Sequence, residues 1–413
     1  MRARVVLVIL TLALVAPGAF LLARDPGSAD RAQLTASTSR HLLTHLDTTA
    51  EFAAGKANGI STTNNRLTFS RAAVTRTVNG KTFGMGAWES AVITPGFGFT
   101  EVIASWNARV NINAWANVMV RARSTAGTWS GWKQLARWRT PLGRTTFGSQ
   151  ADGVARVATD TLKASSGVIL NAYQLRVELL RKQGTRSTPY LNAINGVASR
   201  IGSTGPTSKP LYGAQALAVP RYSQMIHQGE YPQYGGGGQA WCSPTSLSMI
   251  LGYYGRLPSS AEYSWVKSSY RDRWVDHVAR QVYDSGYDGA GNWAFNTAYG
   301  ATRVPDAMVT RLSTLRDIER FIRAKVPVAV SISFGPGQLT GAPIRSTAGH
   351  LVVVAGFTSR GNVIVNDPAA PDNNSVRRVY DRAQFERAWQ TKSRGVAYLV
   401  QGPNRALPRG YVN

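Results

Sequence analysis

One cysteine, Cys242, stands in a chain of 413 residues, so no internal disulfide can form. A lone thiol also rules out a multi-cysteine zinc site, and the five histidines are dispersed without a metal-ligand spacing. The Gly235–Gly238 run is not followed by the Lys-Ser/Thr that would cradle a phosphate. No metal and no cofactor is therefore expected. Acidic residues are scarce too: 22 against 47 basic ones, for a net charge of +25, with only nine lysines. Basic residues exceed acidic ones by 16 over residues 1–210 and by 9 thereafter. The excess is scattered, with neither a basic stripe nor a recognisable nucleic-acid module, so no nucleic-acid partner is expected. Weak attraction to anionic wall polymers or membrane surfaces fits such a balance better.

Long apolar runs are missing everywhere except at the start. There Arg2 and Arg4 precede Val5–Val15, small residues and a Pro-Gly pair follow, and charge returns at Arg24. That layout is a secretory signal, or an anchor if Phe20–Ala23 extends the span. Residues 1–29 are read as signal peptide or N-terminal anchor, cleavage being left open, and the protein as secreted and extracellular, with room for wall or membrane association.

Residues 30–54 read as a polar lead-in. Over 55–185, short segments rich in Val, Ile, Thr and Trp alternate with Gly, Asn and Ser, which predicts an all-β sandwich. Six tryptophans fall there: Trp88, Trp106, Trp115, Trp129, Trp132 and Trp138. Most are expected in the core, although some could form a platform for a glycan or cell-wall polymer. Residues 186–212 carry Gly, Ser, Thr and Pro without sustained periodicity and read as a linker. Residues 213–405 place helices before strands, the order of an α+β domain.

Cys242 sits where the glycine run meets an apolar helix. Ser243 is a suitable N-cap and Pro244 a favoured first helical residue. Leu247, Ile250, Leu251 and Tyr254 follow at helical spacing, and Gly255 ends the pattern. Cys242 is thus expected at a helix N-terminus, where free backbone N–H groups and the dipole lower a thiol's pKa. A nucleophilic cysteine also needs a base. His41 and His45 lie in the lead-in, His227 in an extended entry and His277 in a polar helical stretch. His350 opens the apolar strand of STAGHLVVVAGF, beside Gly349. Asp367 ends the next strand and could orient the imidazole. The register between the two strands is not legible, and Asp372 is the nearest replacement.

These residues resemble the papain-like cysteine peptidases of family 39, which include double-glycine leader peptidases. The resemblance rests on Pro220–Gln224, Trp241–Gly255, Gly349–Phe357 and Val365–Pro368, in that order, and covers about 217–402. It implies a papain-like fold, with Cys242 as nucleophile, His350 as general base and acid, and Asp367 as orienting residue. It also implies a glutamine oxyanion donor, here Gln224 or, closer in sequence, Gln239. The expected function is a secreted cysteine peptidase or amidase acting on a peptide or protein through a thioacyl intermediate. The alternatives are an amidase of cell-wall cross-links and a non-catalytic wall- or glycan-binding protein.

Overall fold

The computed structural model describes residues 39–411; the expected signal segment lies outside them. Three antiparallel seven-stranded sheets organise the described residues. The first runs in the order 155–158, 161–164, 101–109, 190–200, 67–69, 60–61, with Arg40–Leu46 added along 190–200. The second runs 145–146, 133–138, 114–124, 170–182, 81–89, 56–58, with Val74–Val78 pairing along 81–89. The two sheets share one core. The ring of Tyr173 packs edge-on to Phe99, and its hydroxyl donates to the carbonyl of Gly196 on the first sheet. Gly196 is required there, because a Cβ would lie 2.6 Å from the Tyr173 ring.

Two expectations about boundaries need correcting. The segment 186–212, read as a linker, contains Tyr190–Arg200, a central strand of the first sheet and buried over most of its length. The lead-in 30–54 contains the strand Arg40–Leu46, which lies against it from Leu46↔Ile194 to Arg40↔Arg200. It also holds helix α1 (Thr49–Ala53), started by a Thr48–Glu51 capping box. The N-terminal all-β region therefore reaches beyond 55–185 at both ends.

The third sheet lies in the second half, in the order 306–311, 396–401, 328–334, 347–357, 363–366, 377–380, with Gln215–Ala216 on 347–357. Helices α2 (Cys242–Tyr253), α3 (Trp274–Val282), α4 (Trp293–Gly300), α5 (Leu315–Arg323) and α6 (Arg382–Thr391) belong to the same half. Helix α2 is buried on every side from Ser243 to Leu251, not along one stripe. A helix enclosed in this way holds its first residue in a fixed place.

The halves are fused through one continuous hydrophobic core. Phe295 of α4 packs against Trp106 and Trp138, with ring centroids at 6.0 and 5.7 Å. The buried Asp284 carboxylate accepts from the Thr146 N–H and hydroxyl, both at 2.8 Å, and from Asn292 Nδ2 at 3.0 Å. Of the six tryptophans, Trp88, Trp106, Trp115 and Trp138 are buried. Trp129 and Trp132 are covered by the guanidinium of Arg121 at 4.9 and 4.6 Å. An arginine therefore sits over each of these two partly exposed rings.

Candidate active site

Cys242 is the first residue of α2. The cap differs from expectation: Trp241 is the N-cap and makes no side-chain cap bond. Ser243 instead lies inside the first turn, its hydroxyl 2.9 Å from that of Tyr398. Pro244 still fits, since first-turn N–H groups have no intrahelical acceptor to lose. Tyr254 is the C-cap, and Gly255 follows with φ +65°, the left-handed residue that ends the helix.

The strand Thr347–Phe357 brings His350 to Cys242, and the Ser246 hydroxyl ties α2 to this strand through the Leu351 carbonyl at 2.9 Å. The next strand runs antiparallel with Val353 opposite Asn366 and Val354 opposite Val365, then slips by one residue before Gly356↔Ile364. Continued by one position, this register sets Asp367 beside Val352. His350 is two residues from Val352 and therefore on the same face. The imidazole meets the carboxylate diagonally, with Nε2 2.7 Å from Asp367 Oδ1. Nδ1 is left for the thiol.

The charges support one another. Burial pushes the Cys242 thiol up, but His350 and the N–H groups of Leu351 and Ser243 outweigh it and hold the thiol below its ordinary value. Burial pulls His350 down, yet Asp367 and then Cys242 reverse this and raise it to about 10. Asp367 is pushed up by burial and pulled down further by His350, ending below the usual carboxylate range. Two more donors hold the carboxylate: the Ala369 N–H at 3.0 Å on Oδ1 and the Tyr380 hydroxyl at 2.6 Å on Oδ2. Sequence reasoning missed Tyr380. It reaches Asp367 only because its strand pairs with 363–366, Tyr380 standing opposite Val363.

The two glutamines separate clearly. Gln239 lies exposed in the glycine-rich loop, where Nε2 donates to the Gly236 carbonyl at 2.6 Å and Oε1 accepts from Gly229 N–H at 3.2 Å. Gln224 is buried, donates through Nε2 to the Gln239 carbonyl at 2.7 Å, and anchors its own N–H on the Pro368 carbonyl at 2.8 Å. It is therefore tied to the segment carrying Asp367. Asp372 is exposed and caps the turn Asn373–Ser375, so it is no partner for His350. His41 and His45 lie on Arg40–Leu46, His277 accepts from Trp265 Nε1 at 3.3 Å, and His227 meets Glu230 and Asp276.

Cys242 is half-buried and lines a cleft of about 640 Å3. Ser331, Gly349 and Tyr287 come from the second half; Thr159, Asp160 and Lys163 come from the first. Thr159 has φ +54° in the turn between 155–158 and 161–164. Asp160 accepts from the Trp293 N–H at the start of α4 at 3.3 Å, which fixes that turn against the second half. One bank of the cleft therefore belongs to the N-terminal region, a contribution that no spacing in the sequence signals.

Residues 42–199 match the family model of the Peptidase C39 N-terminal domain, and residues 216–396 match that of the Peptidase C39 like family. The two halves of the chain thus carry an N-terminal C39 domain and a C39-like domain. No curated protein sequence matches it. Among solved structures, a candidate C39-like peptidase from Bacillus anthracis is 17% identical; the match covers 46% of this chain and 100% of that one, with a TM-score of 0.30. A structure of infectious bursal disease virus, Gx strain, is 9% identical over 41% of this chain and 40% of that one, with a TM-score of 0.17. Scores so low carry no argument about the site.

Proposed function

We propose that this protein is a secreted cysteine peptidase or amidase, with a papain-like site that hydrolyses peptide bonds through a thioacyl intermediate. The observation that carries this reading is the position of His350. Its Nε2 lies on a buried carboxylate and its remaining nitrogen faces a thiol at a helix N-terminus. Two opposite shifts, the thiol down and the imidazole up, favour a thiolate–imidazolium pair over the neutral form.

In this reading, Cys242 Sγ attacks the scissile carbonyl carbon and the carbonyl π electrons move onto oxygen. The imidazolium then gives its proton to the departing amine, the C–N bond breaks and a thioester forms. Neutral His350 takes a proton from water as the water oxygen attacks the thioester, and collapse releases the acid and restores the thiolate. Asp367 keeps Nε2–H engaged throughout and Tyr380 keeps Asp367 in place. Gln224 is the side-chain donor assigned to the oxyanion, because one amide hydrogen remains after its bond to Gln239. The N-terminal region is assigned to substrate binding, since Thr159, Asp160 and Lys163 line the cleft.

Digestion of a peptide library, read by mass spectrometry, tests the proposal. Cleavage by the wild type and none by Cys242→Ala is expected. Equal cleavage by both, or a Cys242 that iodoacetamide does not modify at mildly acidic pH, overturns the assignment.

A further inference from the structure

A second cluster of titratable groups lies behind Trp241 and takes no part in the chemistry above. His227 ends the turn Met225–His227, Glu230 follows it, and Asp276 lies in the first turn of α3. His227 and Asp276 are fully buried and Glu230 is 9% exposed. His227 Nδ1 lies 2.9 Å from Glu230 Oε2 and 3.2 Å from Asp276 Oδ2. One ligand atom from each residue falls within a common 4.8 Å.

Hydrogen bonding alone serves this arrangement poorly. Nδ1 carries at most one hydrogen, yet two carboxylates converge on it. The shorter contact goes to Glu230, so Asp276, fully buried and 3.2 Å from the same nitrogen, has no donor of its own among the described residues. Among the described residues, neither carboxylate has a lysine or arginine partner in an ion pair. A protonated His227 between two carboxylates leaves one negative charge in the interior, which is costly. A divalent cation on a neutral imidazole and two carboxylates leaves none. Ligand atoms about 2.0–2.2 Å from a tetrahedral metal lie roughly 3.3–3.6 Å from one another, so the contacts of 2.9 and 3.2 Å need open by only a few tenths of an ångström.

We propose that His227, Glu230 and Asp276 form a structural site for one divalent cation of the zinc class. One nitrogen and two carboxylate oxygens suit zinc or cobalt better than calcium, which takes six to eight oxygens. When the metal–nitrogen bond forms, the Nδ1 proton leaves to solvent. The cation would tie α3 to the segment that begins at Gln224, whose carbonyl accepts from His227 N–H at 3.1 Å.

The test uses the full chain carrying Cys242→Ala, so that the thiol cannot take the metal, stripped with chelator and titrated with Co2+ and then Zn2+. One equivalent of Co2+ per chain is expected, with visible bands of a low-coordinate nitrogen–oxygen site. Zn2+ should displace it and raise the melting temperature. Adding Glu230→Gln or Asp276→Asn should weaken uptake by about 100-fold, since each removes a charged ligand. Absence of stoichiometric uptake, a spectrum of six-coordinate aqueous cobalt, or uptake undiminished in these variants overturns the proposal. Glu230 lies at the rim, so Glu230→Gln decides the matter alone if Asp276→Asn fails to fold.

Discussion

Replacing Asp367 by Asn removes one charge and little else. The amide oxygen can still accept from His350 Nε2–H, and the Tyr380 hydroxyl can turn from donor to acceptor for the new NH2. What is lost is a carboxylate 2.7 Å from an imidazole that is 3% exposed. An opposite charge at such range moves a pKa by about 1–3 units, worth roughly 1.4–4 kcal/mol. The imidazolium, now held to about 10, should therefore lose its proton at roughly 7–9 in the variant. Iodoacetamide alkylation of Cys242 across pH reads this edge, because the rate steps up when the thiolate loses its imidazolium partner. Stability follows the same proton. His350 is raised on folding, so its stabilisation is complete below about 6.5 and is lost as pH rises through about 10. In Asp367→Asn the loss should start at the same pH but be smaller and end one to three units earlier in urea titrations. An upper alkylation step that does not move would refute the role given to Asp367. Asp372 could not explain such a result, since it is exposed and occupied in its own turn.

Gln224→Ala should lower kcat by about 10²-fold or more with little change in KM, the cost of an oxyanion donor, whereas Gln239→Ala should stay near wild type in the same assay. Phe295→Ala should cost roughly 3–5 kcal/mol in denaturant unfolding; because Trp106 and Trp138 both lean on that ring, the two halves should still melt in one transition, and two separate melts would contradict the shared core. Tyr380→Phe should cost about 1–3 kcal/mol by leaving Asp367 Oδ2 short of a donor, and it should lower the His350 edge less than Asp367→Asn does.

The sequence carried the local features of the site and little of its assembly. Cys242 at a helix start was legible because Pro244 and Gly255 bracket an apolar stretch of helical length. The identity of the cap was not, since Ser243 is as good a candidate as any until Tyr398 claims its hydroxyl. Asp367 was legible just past a strand end, but His350, expected to open its strand, is the fourth residue of Thr347–Phe357, and a slip between Val354 and Gly356 hides their register from simple counting. Tyr190–Arg200 passed for a linker because buried positions run consecutively along it, so period-two alternation is absent. Its Gly196 counted toward the loop-like composition, yet it meets the Tyr173 ring, and the neighbouring Asn195 meets His45. The cluster at His227 escaped notice because Asp276 joins it from a different element, 49 positions away along the chain.

The shared cleft also has a consequence in time. Every strand of the first two sheets lies before residue 201, so the bank formed by Thr159, Asp160 and Lys163 leaves the ribosome well ahead of Cys242. The groups that make the thiol reactive come last: His350 trails it by more than a hundred residues and Tyr380 by more still. A nascent chain therefore carries that bank of the cleft long before it carries the residues that hold the Cys242 thiol below its ordinary value. Until the strand bearing His350 is laid beside α2, the sulfur lacks the imidazole that does most to favour its thiolate.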